Sequence, residues 1–186
     1  MQDIIFVTGG ARSGKSSFAE GIASGYSERV LYLATAVGFD EEMKERIRNH
    51  RNARPVTWKT VERFEALGDM AEEPDFKESD VILLDCLSLM LNNRMHYAGI
   101  DFGSRDFESF IGFEQEVLGD LGQLAALAER TNKRLIIVSN EIGMGLVPAD
   151  PVSRQYRDML GRLNRFAAKM AHEAYFLVSG MPIKIK

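Results

Sequence analysis

The chain is poor in the residues that staple or span. One cysteine, Cys86, occurs in 186 residues, so no disulfide can form within the chain. With only His50, His96 and His172 beside it, a Cys/His zinc cage is disfavoured as well. No apolar run approaches the roughly 20 residues that a membrane helix needs, and the N-terminus carries no basic leader. A cytoplasmic protein without a membrane span is the expectation. Neither charge dominates: 23 basic and 27 acidic residues leave a formal net charge of -4, too little to draw the molecule to nucleic acid or acidic lipid. Linkers, repeats and low-complexity tracts are missing, and a single domain over residues 1–186 follows. With 45% hydrophobic residues that domain can bury a core without covalent help.

What is present starts at the N-terminus. Gly9-Gly10-Ala11-Arg12-Ser13-Gly14-Lys15-Ser16 spells G-x-x-x-x-G-K-S directly after the apolar run Ile4-Ile5-Phe6-Val7. A strand, a glycine-rich turn and a helix start leave backbone amides unpaired, and with the helix dipole they suit an anionic phosphate. In this motif the lysine reaches the β- and γ-phosphates and the serine hydroxyl ligates magnesium. A nucleoside triphosphate site built on Lys15 and Ser16 is the reading.

Further apolar runs at 30–34, 81–84, 135–139 and 174–179 alternate with helical spacing at 41–52, 107–130 and 156–171. Such alternation predicts an α/β fold with a mostly parallel sheet flanked by helices. Ser179-Gly180-Met181-Pro182 before the run 183–185 predicts a hairpin that closes the sheet with an antiparallel edge. Ligands in such folds bind beyond the carboxyl ends of the strands.

Each strand end therefore bears inspection. Thr35-Ala36-Val37-Gly38 is either a place where backbone approaches a ligand or a plain connection. Asp85 ends Val81-Ile82-Leu83-Leu84-Asp85, the Walker B pattern in which an acid holds magnesium or its water, with a helix N-cap as the alternative. Cys86 reads as a small buried residue. Ser139 to Pro148, glycine-rich and polar at its start, is a loop that closes on substrate or a structural turn. The D-x-x-G and N-K-x-D signatures of a Ras-like switch are missing.

Residues 40–55, DEEMKERIRNHRNARP, open acidic and end basic, which complements a helix dipole at both ends. Pro55 biases Arg54 away from helix, so the helix should stop near Asn52. His50 continues the face of Met43 and Ile47, with arginines at 46, 51 and 54. Cations lower an imidazole's pKa and keep it neutral and nucleophilic. Attack on an α-phosphate would give a phosphoramidate. Composition alone also suits a histidine in a solvated helix.

Together these stretches resemble the bifunctional adenosylcobinamide kinase/adenosylcobinamide-phosphate guanylyltransferases of cobalamin biosynthesis. The resemblance rests on the phosphate loop, Leu31-Tyr32-Leu33-Ala34-Thr35, the 40–55 segment with Trp58, Thr60 and Glu62, and Asn140-Glu141-x-Gly143-x-Gly145-x-Val147-Pro148. It extends to the tail from Val178-Ser179-Gly180 to Lys184-Ile185-Lys186. It implies a RecA-like P-loop NTPase fold and a homotrimer. It also implies phosphorylation of adenosylcobinamide by ATP or GTP with magnesium, then transfer of GMP from GTP through a guanylylated His50. By the same resemblance Thr35, Ala36, Val37, Arg51, Asn52, Ala53, Arg54, Glu62 and Asp85 fall in regions that contact the nucleotide. The family commonly carries Glu where this chain has Asp85. The readings without that resemblance are a monofunctional P-loop kinase and a regulatory nucleotide-binding module.

Overall fold

The computed structural model describes residues 3–37, 41, 45, 48 and 54–186. Seven strands form one sheet in the order β3-β2-β4-β5-β1-β6-β7: β1 (Ile4–Gly9), β2 (Val30–Ala34), β3 (Lys59–Glu62), β4 (Val81–Asp85), β5 (Arg134–Asn140), β6 (Glu173–Val178) and β7 (Met181–Lys184). Every pairing is parallel except β6 with β7, as the alternation of strands and helices and the Ser179-Gly180 turn predict. The sequence pattern does not reveal β3. It is a four-residue edge strand, Lys-Thr-Val-Glu, half exposed and without an apolar run.

Strands β1, β2, β4 and β5 are buried on both faces, so they read as continuous Ile, Val and Leu. Alternate side chains build two cores. Phe6, Leu31, Leu33, Ile82, Leu84, Leu135 and Ile137 face the helices α3 (Leu87–Tyr97), α4 (Phe107–Arg130) and α5 (Pro151–Met170). On the other side Ile5, Val7, Tyr32, Leu83, Ile136 and Val138 pack with Trp58 and the helix α1 (Lys15–Tyr26). A short 3-10 turn at Leu67–Glu72 and α2 (Pro74–Glu78) complete the first layer.

The helix that spacing places at 156–171 begins five residues earlier. Its first turn, Pro-Val-Ser-Arg, is mostly exposed and faces no core, so apolar periodicity misses it. The start is instead marked by chemistry: Asp150 accepts the Ser153 amide at 2.7 Å and Pro151 stands at the first helical position. The predicted helix at 41–52 lies mostly outside the described residues; Glu41, Glu45 and Arg48 are helical and exposed.

One buried polar node ties three elements on the first face. Asp120 of α4 accepts the Leu67 amide at 2.6 Å through one oxygen and Arg94 of α3 at 2.8 Å through the other. Both side chains are nearly closed to water, at 12% exposure for Arg94 and 9% for Asp120. Among the described residues, removing Asp120 leaves the buried Arg94 with only the more distant, exposed Glu116 carboxylate at 3.9 Å. Asp120→Ala is expected to lower unfolding free energy by about 3–5 kcal/mol in urea titration, with the joint replacement Arg94→Met and Asp120→Leu recovering part of that loss.

Candidate functional site

The carboxyl ends of β1, β2, β3, β4 and β5 carry the phosphate loop, Thr35–Val37, Glu62, Asp85 and Asn140, so the fold gathers on one edge what the sequence scatters. The loop is held rather than free. Gly9 sits at φ 151, and a Cβ there would stand 2.4 Å from the Leu177 carbonyl of neighbouring β6. Only glycine fits. Gly14, the residue before α1, is left-handed at φ 90. The Ser13 amide donates to Gly10 at 3.3 Å, the Gly180 amide of the β6–β7 turn donates to the Ser13 carbonyl at 3.0 Å, and the Glu141 amide donates to the Gly9 carbonyl at 2.9 Å. The terminal hairpin and the end of β5 thus brace the loop from two sides, a role that the sequence does not announce. Ala11 and Arg12 form its exposed crest, with Arg12 at φ 55.

Lys15 is buried in the first turn of α1. Its Nζ donates to the Gly10 carbonyl at 2.5 Å and lies 3.5 Å from Ser13 Oγ. Burial pulls its pKa below the usual lysine value, against the opposing pull of Cys86 and Asp85. Ser16 follows, partly exposed.

Asp85 is not the helix cap: Cys86 holds that position and no side chain caps α3. Its carboxylate instead accepts the Tyr32 hydroxyl at 2.6 Å. The Tyr32 ring, 3% exposed, carries the Arg54 guanidinium on its face, with Cζ 3.2 Å from the centroid. Arg54 also stands 3.9 Å from Glu20 of α1 and 3.5 Å from the Thr60 hydroxyl, and its buried Nε has no hydrogen-bond partner among the described residues. Burial raises the Glu20 pKa, with Arg54 opposing.

Thr35 is fully buried, and its hydroxyl is committed to the Cys86 backbone, donating to the carbonyl at 2.7 Å and accepting the amide at 2.8 Å. Its own carbonyl accepts Asn93 at 2.6 Å. The side chain therefore fixes the β2–β4 junction, while Ala36 and Val37 are the partly exposed members of that stretch. Glu62 is exposed at the end of β3, in register with Ala34. Cys86 is buried as expected, and burial with the Asp85 charge pushes its thiol up to about 11. Glycine-rich residues 141–150 are mostly exposed; Asn140 donates to Ser88 at 2.8 Å and receives Asn164 on its carbonyl at 2.9 Å. Tyr32 and Ser88 escape sequence reasoning because each is an isolated polar residue in an otherwise apolar stretch, and Asn164 because it stands among the charged residues of a helix. Only the fold brings them to the strand ends. Gly38, His50, Arg51, Asn52 and Ala53 lie outside the described residues.

The buried lysine gives a prediction in which two readouts part. Lys15→Met removes a charge that burial disfavours, so the protein without nucleotide should melt no lower than the parent. The same variant should lose the upward shift that MgGTP gives and bind GTP at least about 10-fold more weakly. A large drop in the melting temperature without nucleotide would contradict the burial argument.

Comparison with known proteins covers the whole chain. Residues 5–185 match the family model of cobinamide kinase / cobinamide phosphate guanyltransferase. The bifunctional adenosylcobalamin biosynthesis protein CobU of Escherichia coli is 39% identical over 183 residues, covering 98% of this chain and 99% of its own. The protein of the same name from Salmonella typhimurium is 38% identical, again over 98% and 99%. The bifunctional adenosylcobalamin biosynthesis protein CobP of Pseudomonas aeruginosa is 37% identical over 100% and 98%. Among solved structures, the flagellar accessory protein FlaH of Methanocaldococcus jannaschii aligns at 15% identity with a TM-score of 0.47, covering 99% of this chain and 78% of its own, a likeness too loose to carry an argument. By full-length match in family and in relatives, the chain belongs to the cobinamide kinase / cobinamide phosphate guanyltransferase family.

Proposed function

We propose that this chain phosphorylates the aminopropanol hydroxyl of adenosylcobinamide with ATP or GTP, and then transfers GMP from GTP to that phosphate through a guanylylated His50. The end-to-end family match on a chain whose phosphate loop is closed and braced carries the reading. In the first reaction the acceptor oxygen attacks the γ-phosphorus, and the nucleoside diphosphate leaves. Lys15, now bonded to the Gly10 carbonyl, turns to the β- and γ-phosphate oxygens. The loop amides hold the remaining oxygens, and the start of α1 adds its dipole.

In the second reaction a neutral His50 nitrogen attacks the α-phosphorus of GTP and pyrophosphate leaves. A phosphate oxygen of the corrinoid then displaces the imidazole. Two in-line displacements retain configuration at phosphorus overall. His50 is four peptide units from Arg54, at most about 14 Å of chain, and Arg54 is docked on Tyr32 beside Asp85. This supports a histidine that works at the same strand-end site as the kinase step. The arginines at 51 and 54 would offset phosphate charge and keep the imidazole neutral.

Magnesium fits the donor set. It favours one or two carboxylates together with phosphate oxygens and water, and Ser16 and Asp85 supply that much without a closed cage. Strand β5 separates β1 from β4, roughly 10 Å across two strand spacings. Asp85, a methylene shorter than the family's usual Glu, would therefore hold the ion through water. Bound there, the ion would neutralise charge on the β- and γ-phosphates. A cytoplasmic homotrimer is the proposed state, checked by light scattering of the purified chain.

Incubation with GTP labelled at the α-phosphate is expected to give an acid-labile, alkali-stable protein adduct, and His50→Ala is expected to give none. Labelling of the variant at the parent's rate would remove His50 from the mechanism. Transfer of the γ-phosphate without any adduct would leave the monofunctional kinase.

A further inference from the structure

The cluster around Tyr32 joins two parts of the site that come from distant stretches of sequence. Asp85 ends β4, and its Oδ2 accepts a 2.6 Å bond from the Tyr32 hydroxyl. Arg54 ends the segment that carries His50, and its guanidinium carbon lies over the ring of the same side chain, 3.2 Å from the centroid. Tyr32 itself is 3% exposed and belongs to the same buried cluster as Val7, Leu83 and Trp58, so packing restrains it. Its two contacts therefore share one rigid mount.

The geometry has a direct chemical consequence. A short Asp side chain at a strand end has a carboxylate that rotates about one bond, and a strong donor on one oxygen fixes which way the other faces. The guanidinium stack is held differently, by the ring's electron-rich face and by the Glu20 carboxylate at 3.9 Å. Nε has no hydrogen-bond partner among the described residues, and the Nη1 bond to the Thr60 hydroxyl is long at 3.5 Å, so the ring face is the close contact of Arg54 among them.

We propose that Tyr32 is a positioning residue with two separable parts: its hydroxyl orients Asp85 toward the magnesium of the bound nucleotide, and its ring seats Arg54 and so fixes the end of the His50 segment. This rests on the nucleotide-transfer reading above. The hydroxyl part also makes sense of aspartate at this position, since the tyrosine holds in place a carboxylate with less reach than glutamate.

Calorimetric titration of GTP in EDTA and in saturating magnesium separates the parts. Tyr32→Phe should weaken binding about 10-fold in magnesium and stay within about twofold of the parent in EDTA. In an Asp85→Asn background the same substitution should have no further effect. At saturating MgGTP, Tyr32→Phe should form the GMP adduct within about threefold of the parent rate, whereas Tyr32→Leu should slow it at least about 10-fold. Equal losses in EDTA and magnesium, an undiminished effect in the Asp85→Asn background, or equal adduct rates for the Phe and Leu variants would overturn the proposal. Asp85→Asn alone gives a test that needs no change at Tyr32: full magnesium enhancement in that variant would also overturn it. A parent that forms no adduct would sink the guanylyl-transfer reading, while the magnesium comparison would still judge the hydroxyl.

Discussion

The Leu177 carbonyl leaves no space for a side chain at residue 9, and much of the site follows from that close approach. Strand β6 runs against β1 so tightly that the backbone at Gly9 must take a conformation that side chains rarely tolerate. The chain then leaves the sheet at a fixed angle and wraps over Ser13 into α1. Because β6 continues into the β7 hairpin, the Gly180 amide reaches the Ser13 carbonyl. The last strands are thus the scaffold of the first loop. A phosphate cradle made of backbone amides works only if those amides are fixed before the ligand arrives, and here the bracing comes from the far end of the sequence.

Burial of Lys15 has a cost that only nucleotide recovers. In the free protein its ammonium group is satisfied by the Gly10 carbonyl, near the hydroxyl of Ser13, and desolvation outweighs the opposing influence of Cys86 and Asp85. A triphosphate supplies several negative oxygens at that place. The strain of holding a charge in a poorly hydrated pocket becomes differential affinity for an anion, which is how a binding site can be less stable and more selective than its surroundings.

Around that loop, polar groups are layered between apolar cores. Thr35 ties β2 to the residue after β4, Ser88 bonds Asn140, and Asn164 reaches the Asn140 carbonyl. Two helices and three strand ends meet through these bonds. The buried Ser139 and Thr8 hydroxyls and the Asn164 carbonyl oxygen have no hydrogen-bond partners among the described residues, so the strand ends are dense in buried polar atoms. Such a layer is expensive to desolvate and correspondingly specific in the geometry it accepts.

The phosphate loop, the parallel sheet and the closing hairpin were legible from the chain alone, because each is encoded by neighbours: glycines at fixed offsets, unbroken β-branched runs, and a Ser-Gly turn. Asp85 was legible as a carboxylate at a strand end. What it does there was not, since its partner Tyr32 is 53 residues away and joins it only through the register of β2 on β4. Thr35 is a second case. Its place at a strand end left open a backbone approach to a ligand or a plain connection, and the partner of its hydroxyl, the Cys86 backbone, was not legible. The edge strand β3 and the early start of α5 escaped because hydrophobic periodicity reports burial, and both are exposed there. Local sequence determines which segments can bind phosphate or span the sheet. Which polar groups meet is decided by strand order, a sum of long-range packing that no short window of residues contains.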